Sequence, residues 1–235
     1  MNEKNFIYSD QLALFGRRDI IGFGKRDFYV KEINRELANE TIIKNHYSHK
    51  VYATSHIHLG VFMDDEMVGV LQYGRAMNPA SQESVVKGTK IDEYLELNRM
   101  WLDDKAPRCS ESQAISYSIK YIKQKYNGKI KWIQSFADER CGRFGVVYQA
   151  CSFEYYGEHK STFWELDGVV YHNIQMTRGE NDKRYSAEAD YLQRNKDRAT
   201  RMELRQFRYI FFIDKRYKKN CCLKELEYPK HYKEG

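Results

Sequence analysis

The stretch from Tyr94 to Phe136 constrains the fold most tightly. In YLELNRMWL, Leu95, Leu97, Arg99 and Trp101 alternate with Tyr94, Glu96, Asn98 and Met100. That is the two-residue period of a strand, with the first set on one face and the second on the other. After a polar linker, Ser110 and Gln113 form a capping box, and Ile115, Ile119, Ile122 and Tyr126 recur on one helical face. KIKWIQSF then reads as a second strand. Around this unit DFYVKEI reads as a strand and RELANETIIKNHY as a helix. IHLGVFM and MVGVLQYG form a hairpin about DDE, GRFGVVYQACSF a short helix, and TFWELDGVVYHN a pair of strands turning at Asp167-Gly168. Strands and helices in this succession predict an α/β fold, a mixed central sheet flanked by helices.

A chain of 235 residues is long enough for one large domain. Residues 1–27 mix Gly, Arg and aromatics without a period and are expected to be an irregular N-terminal arm. Residues 28–178 hold the regular pattern, and 179–235 are expected to be a basic extension. No run reaches the roughly 20 apolar residues needed to span a bilayer, and MNEKNFIYSD lacks the basic-then-apolar order of a signal peptide. Five cysteines without a CxxC pair read as reduced thiols of a cytoplasm.

The net charge of +6 is concentrated near the C-terminus. From Arg194 to Lys219 ten basic residues face three acids, a balance of +7 that flanks the aromatic run RQFRYIFFI. Arg198, Arg201, Arg205, Arg208, Lys215 and Arg216 are the expected contacts to a phosphate backbone, because clustered cations release counterions from a polyanion. A solvated charged face is the alternative.

Chemistry concentrates in SFADERCGRFGVVYQ, where an apolar strand ends on a cluster of charges. Asp138 is placed where ligands bind in open α/β sheets, at a strand's carboxyl end. Glu139 and Arg140 are expected to pair with each other at the helix start. A second constellation is His46-Tyr47-Ser48-His49, with His56 and His58 nearby. His46, Tyr47 and Asp138 are a candidate iron site, since imidazole, phenolate and carboxylate are acceptable ligands. Arg99 shares a predicted face with Leu95 and Leu97, so it needs a buried acidic or anionic partner. Either a bound donor or a structural acid meets that need.

The element order resembles the core of the GNAT acyltransferase superfamily. Tyr148, five residues before Phe153, has the form of the Tyr that the superfamily often carries on its short helix. HYSHK, YLELNRMWLDDKAPRCSES, KWIQSFADERCGRFGVVYQACSF and RQFRYIFFIDKRYKK closely resemble the Mom family, from about Phe28 nearly to the C-terminus. Those phage proteins convert adenine in DNA to its N6-carbamoylmethyl form and so protect it from restriction. The resemblance implies a GNAT-like fold, a double-stranded DNA substrate and a bacterial host cytoplasm during infection. It strengthens Asp138 as a catalytic candidate beside Tyr148, which the superfamily form suggests, and His46 and Tyr47, which the histidine constellation suggests. The usual Gln/Arg-x-x-Gly-x-Gly/Ala phosphate loop is replaced by DDKAPRCSES, leaving Arg108, Ser110 and Ser112 with Arg99 as donor-binding candidates.

The product's atoms are those of a glycyl group joined to adenine's amine. An activated glycyl donor, such as glycyl-tRNA, is therefore the expected co-substrate. Acetyl-CoA is the rival and would require an oxidation for which iron would serve. The basic segment suits DNA and tRNA alike. Base flipping into an aromatic-walled pocket makes Trp101, Tyr155, Tyr156 and Trp164 candidate walls. Two other functions fit the same pattern: a GNAT acetyltransferase acting on a protein or small-molecule amine, and a non-catalytic DNA-binding anti-restriction protein.

Overall fold

Apolar alternation and helical periodicity become regular elements largely where the sequence places them. A computed structural model describes residues 5–12, 16, 18–141, 144–182 and 185–230. Its strands are β1 (Phe6–Leu12), β2 (Arg18–Gly24), β3 (Phe28–Glu32), β4 (Ser55–Met63), β5 (Glu66–Gly74), β6 (Tyr94–Leu102) and β7 (Trp132–Asp138). They continue with β8 (Glu154–Leu166), β9 (Val169–His172) and β10 (Thr200–Phe212). The helices are α1 (Arg35–Asn45), α2 (Gln82–Val85), α3 (Ser110–Lys125), α4 (Val146–Ala150), α5 (Asn173–Thr177) and α6 (Ala187–Arg194).

All ten strands join one sheet in the order β1-β2-β3-β4-β5-β6-β7-β10-β8-β9. Only β6 and β7 run parallel, joined by the α3 crossover, so the sheet is mixed as expected. The acyltransferase-like order is present: strand β6, helix α3, strand β7, short helix α4 and the closing strands. Two layers cover the sheet. The α3 side buries Ile115, Ile119 and Ile122 with Leu95, Leu97, Ile133 and Phe207, while α1 packs Ala38 and Ile42 on Val70 and Trp101 of the other face. Among the described residues no helix is long and apolar enough to cross a membrane.

Two expected segments differ. The arm over 1–27 is not irregular where described, because β1 and β2 form an antiparallel pair that extends the sheet edge. Its register slips twice, which destroys the alternation a strand would show. Residues 1–4, 13–15 and 17 lie outside the described set, as do 183–184 and 231–235 of the C-terminal segment. The expected extension over 179–235 is no appendage, because β10 inserts between β7 and β8 and supplies Phe207, Tyr209 and Ile210 to the core. Its register is set by partners distant in sequence, so nothing local announces it.

Candidate active site

A bulge builds the site. Gln72 of β5 pairs with Arg99 and Tyr73 pairs with Leu97, so Asn98 is an extra residue in β6. One extra residue reverses the side-chain alternation. Leu95 and Leu97 face α3 as expected, but Arg99 and Trp101 turn to the α1 face instead of sharing theirs. Arg99 there donates through Nε to Lys50 O at 3.0 Å and lies over the Tyr52 ring at 5.2 Å. Carbonyls and an aromatic face therefore meet a guanidinium for which an acid or a bound anion was expected. Burial lowers the pKa of Arg99, while Tyr47, Tyr52 and Glu96 oppose the fall.

The ladder between β6 and β7 runs only from Tyr94↔Trp132 to Glu96↔Gln134, although both strands continue. Beyond it the strands splay, and Ser135 Oγ donates to Leu97 O at 3.2 Å beside the opening. Asp138 is the last residue of β7 and only 6% exposed. Its Oδ1 accepts from the Arg140 backbone N–H at 3.0 Å and from Nε at 2.9 Å, and Oδ2 accepts from Nη2 at 2.6 Å. Glu139 instead binds Arg205 at 2.8 Å, so the expected Glu139–Arg140 pair does not form. A tight turn after β7 directs the two side chains to different partners.

The α1 C-terminus brings His46 and Tyr47 to the same place. Their rings lie 4.3 Å apart, and His46 Nδ1 is 2.8 Å from Ser48 Oγ. Asp138, Arg140 and Arg99 all act electrostatically on His46. Tyr47 is half exposed, with its hydroxyl end beside Asp138, Arg140 and Cys141. Burial chiefly, with the cations, lowers His46 to about 4, so it is a neutral hydrogen-bonding group at neutral pH. A histidine whose folded pKa lies below its unfolded value loses stability as pH falls from about 6.5 toward 4. Urea unfolding is expected to give about 2 kcal/mol less stability near pH 5 than near pH 7 from this group. His46→Gln is expected to flatten that slope. Of the other histidines, His49 stays within electrostatic reach of His46 with its Nδ1 against Ile43 O, while His56 lies against Thr54 O and His58 against Gln72.

Tyr148 lies on the opposite face of the sheet from Asp138, packed at 5.4 Å from Tyr209 and 5.7 Å from Phe153. Its hydroxyl bonds to Ser135 and lies within electrostatic reach of Glu96 and Cys141. Burial pushes it up to about 12, so it holds its proton at neutral pH. The two candidates thus approach the splay from opposite faces and share no direct bond among the described residues.

Glu96 was not among the expected site residues. It is 7% exposed and accepts from Asn98 at 3.0 Å, Gln134 at 2.8 Å and Tyr52, with Arg208 as a countercharge. Burial raises its pKa against those partners. The Gln134 carbonyl oxygen beside it is buried without a hydrogen-bond partner. The signal in the sequence is an acid inside the alternating strand YLELNRMWL.

The other expectations sort by position. Helix α3 begins at Ser110 after Cys109, which adopts a left-handed φ of 73° and provides no side-chain cap. The capping box does not form: Gln113 donates to Tyr117 and Ser112 Oγ donates to Cys109 O. Ser110 is buried, whereas Arg108 is exposed beside the uncapped helix N-terminus. Arg198, Arg201, Arg205 and Arg216 pair with Asp167, Glu203, Glu139 and Asp214. Part-buried Arg208 lies over Phe136 at 5.0 Å, and Lys215 is exposed. The expected wall residues are structural: Trp101 packs under α1, Tyr155 and Tyr156 are core, and Trp164 donates to Asn173.

His46, Tyr47 and Asp138, the expected iron ligands, meet, and both Asp138 oxygens are bonded to Arg140 in this arrangement. No group of three His, Cys, Asp or Glu side chains suited to a metal occurs among the described residues. A cavity of about 190 Å³ between His56, Arg75, Asp92 and Lys129 lies at the opposite end of β6 and is separate from this cluster.

Comparison with known proteins identifies the chain's family. The model of the Mom protein family matches residues 27–230. The chain belongs to the Mom protein family. Methylcarbamoylase mom of Escherichia phage Mu is 48% identical over 214 residues, covering 90% of this chain and 87% of that protein. Among solved structures, a ribosomal-protein-S5-alanine acetyltransferase from Vibrio fischeri aligns at a TM-score of 0.47 with 11% identity, covering 83% of this chain and 97% of that one. An acetyl transferase from Salmonella typhimurium, described as modifying the N-terminal serine of ribosomal protein L7/L12, aligns at 0.47 with 13% identity over 81% and 97%. The Mom match spans every residue of the cluster, from His46 to Cys141 and Tyr148.

Proposed function

We propose that this chain is a transferase that converts adenine in duplex DNA to N6-carbamoylmethyladenine and thereby shields DNA from restriction. The observation that carries the reading is the meeting of Asp138 with His46, Tyr47, Arg99 and Arg140 at the open end of the β6/β7 splay, within a member of the Mom family. The exocyclic amine is a poor nucleophile because its lone pair is delocalised into the ring. Asp138 accepts its proton as the new bond forms. Tyr148, protonated and reaching the splay from the far face, donates to the leaving group.

The donor is an activated glycyl ester such as glycyl-tRNA. Attack by N6 on its carbonyl forms an amide and releases the carrier alcohol. The free glycyl amine then attacks adenine C6, and the original nitrogen leaves C6 as the carboxamide nitrogen. The product is N6–CH2–C(O)NH2, reached without a net oxidation. Acetyl-CoA is the second reading, favoured by the uncapped N-terminus of α3 beside Arg108; it would supply the two carbons and need a separate nitrogen donor and a two-electron oxidant for the methyl carbon. Purified protein that modifies DNA with acetyl-CoA alone would overturn the glycyl route. DNA contact falls to the basic surface of β10 and its flanks, where exposed ion pairs of about 0–1 kcal/mol open readily to phosphates.

Mass spectrometry of nucleosides from expressing cells tests the activity. A deoxyadenosine carrying a carbamoylmethyl group is expected. Unmodified DNA with retained DNA binding would favour a non-catalytic blocker, and an acetylated protein or small amine would favour an ordinary acetyltransferase.

A further inference from the structure

The guanidinium of Arg140 lies over two aromatic faces, at 5.2 Å from the Tyr47 ring centre and 4.9 Å from that of Phe163. It is also bonded through two nitrogens to Asp138. We propose that Tyr47 and Phe163 form the slot that takes the flipped adenine, and that Arg140 occupies this slot until the base displaces it. The proposal rests on the reading of adenine in DNA as the substrate.

Guanidinium and purine are both planar π systems, and stacked or tilted aromatic rings sit about 4.5–7 Å apart between centres. A purine in the place of Arg140 is therefore at contact distance from both rings. Each ring is also braced, Tyr47 by His46 at 4.3 Å and Phe163 by His172 edge-on at 5.3 Å.

The slot ends on a carboxylate that only accepts hydrogen bonds. Adenine presents its N6 amino donor there, whereas guanine would present O6, an acceptor, against another acceptor. Asp138 thus favours a purine with an amino group at C6 while it stands ready to take that amine's proton. The displaced Arg140 finds an alternative partner in the DNA backbone, because its planar fork binds phosphate bidentately. Arg99 and Arg140 are the guanidinium groups among the described residues that act on His46 and Tyr47.

Duplexes carrying one extrahelical residue test this without knowledge of the target sequence, because an unpaired base enters a pocket at little cost. Affinity is measured at fixed salt for duplexes with a bulged adenine, a bulged guanine or a bulged abasic residue. The protein is expected to bind bulged adenine roughly tenfold more tightly than the abasic bulge, the scale of base–aromatic stacking. Bulged guanine is expected to gain little. Tyr47→Leu and Phe163→Leu are expected to bring the adenine-to-abasic ratio near one with abasic affinity unchanged, and Arg140→Gln to raise it. Phe163 is buried, so its replacement puts folding at risk, but half-exposed Tyr47 carries the test alone. A wild-type ratio in Tyr47→Leu overturns the slot while leaving the DNA reading intact. Failure to bind any duplex overturns both.

Discussion

Asp138→Asn is expected to lower the yield of modified deoxyadenosine by about 10²- to 10⁴-fold, the usual contribution of a positioned general base. The substitution keeps the side chain's shape and removes its capacity to accept a proton. Asn still offers Arg140 one oxygen, and the guanidinium remains against Tyr47 and Phe163, so the loop after β7 keeps its anchors. The change in thermal stability is therefore expected to be small. Binding of duplex DNA is expected to persist, because the basic surface of β10 that is proposed to meet the backbone is left unchanged. Nucleoside mass spectrometry and a DNA-binding assay on the same variant separate the outcomes. Modification within a few-fold of wild type would remove Asp138 from the chemistry. Loss of both modification and fold would make it a structural anchor for Arg140.

Strands and helices with strong local patterns were legible, from β3 through β9. What stayed hidden was set at a distance. The Asn98 bulge is the clearest case: YLELNRMWL alternates without a break, and only pairing with Gln72 and Tyr73 reveals the reversal that sends Arg99 to the α1 face. The place of β10 likewise depends on partners in β7 and β8. Within the site, Asp138 was legible from its place at a strand end together with the family resemblance, and His46 and Tyr47 from their clustering; the fold brings them together. Arg140 was visible but assigned to Glu139, because adjacency in sequence does not give side-chain direction at a turn. The basic segment was legible as charge, yet four of its six named contacts pair with acids of the same surface. Charge counting cannot foresee those partners, which include Asp167 and Glu139 far along the chain.

The second large effect concerns Glu96. Glu96→Ala is expected to cost about 3–5 kcal/mol of unfolding free energy, as when one member of a buried charged network is removed. Three donors, Tyr52, Asn98 and Gln134, converge on its carboxylate, and Asn98 and Gln134 are themselves buried. Arg208, part-buried and already lowered by desolvation, would lose its countercharge. Two of those donors tie strands together: Gln134 bridges β7 to β6, and Asn98, which also accepts from Ser55 Oγ at 3.0 Å, is the bulge residue that orients Arg99. Glu96→Gln is expected to cost less, about 1–2 kcal/mol, because one oxygen still accepts while the new amide faces a donor. Urea unfolding of the two variants reads the difference. Near-equal losses would mean that volume rather than hydrogen bonding is what Glu96 contributes, and a negligible loss in Glu96→Ala would mean that water fills the place of the carboxylate. The ordering Ala well below Gln ties the bulge, and with it Arg99 beside Tyr47 and Asp138, to this one buried acid.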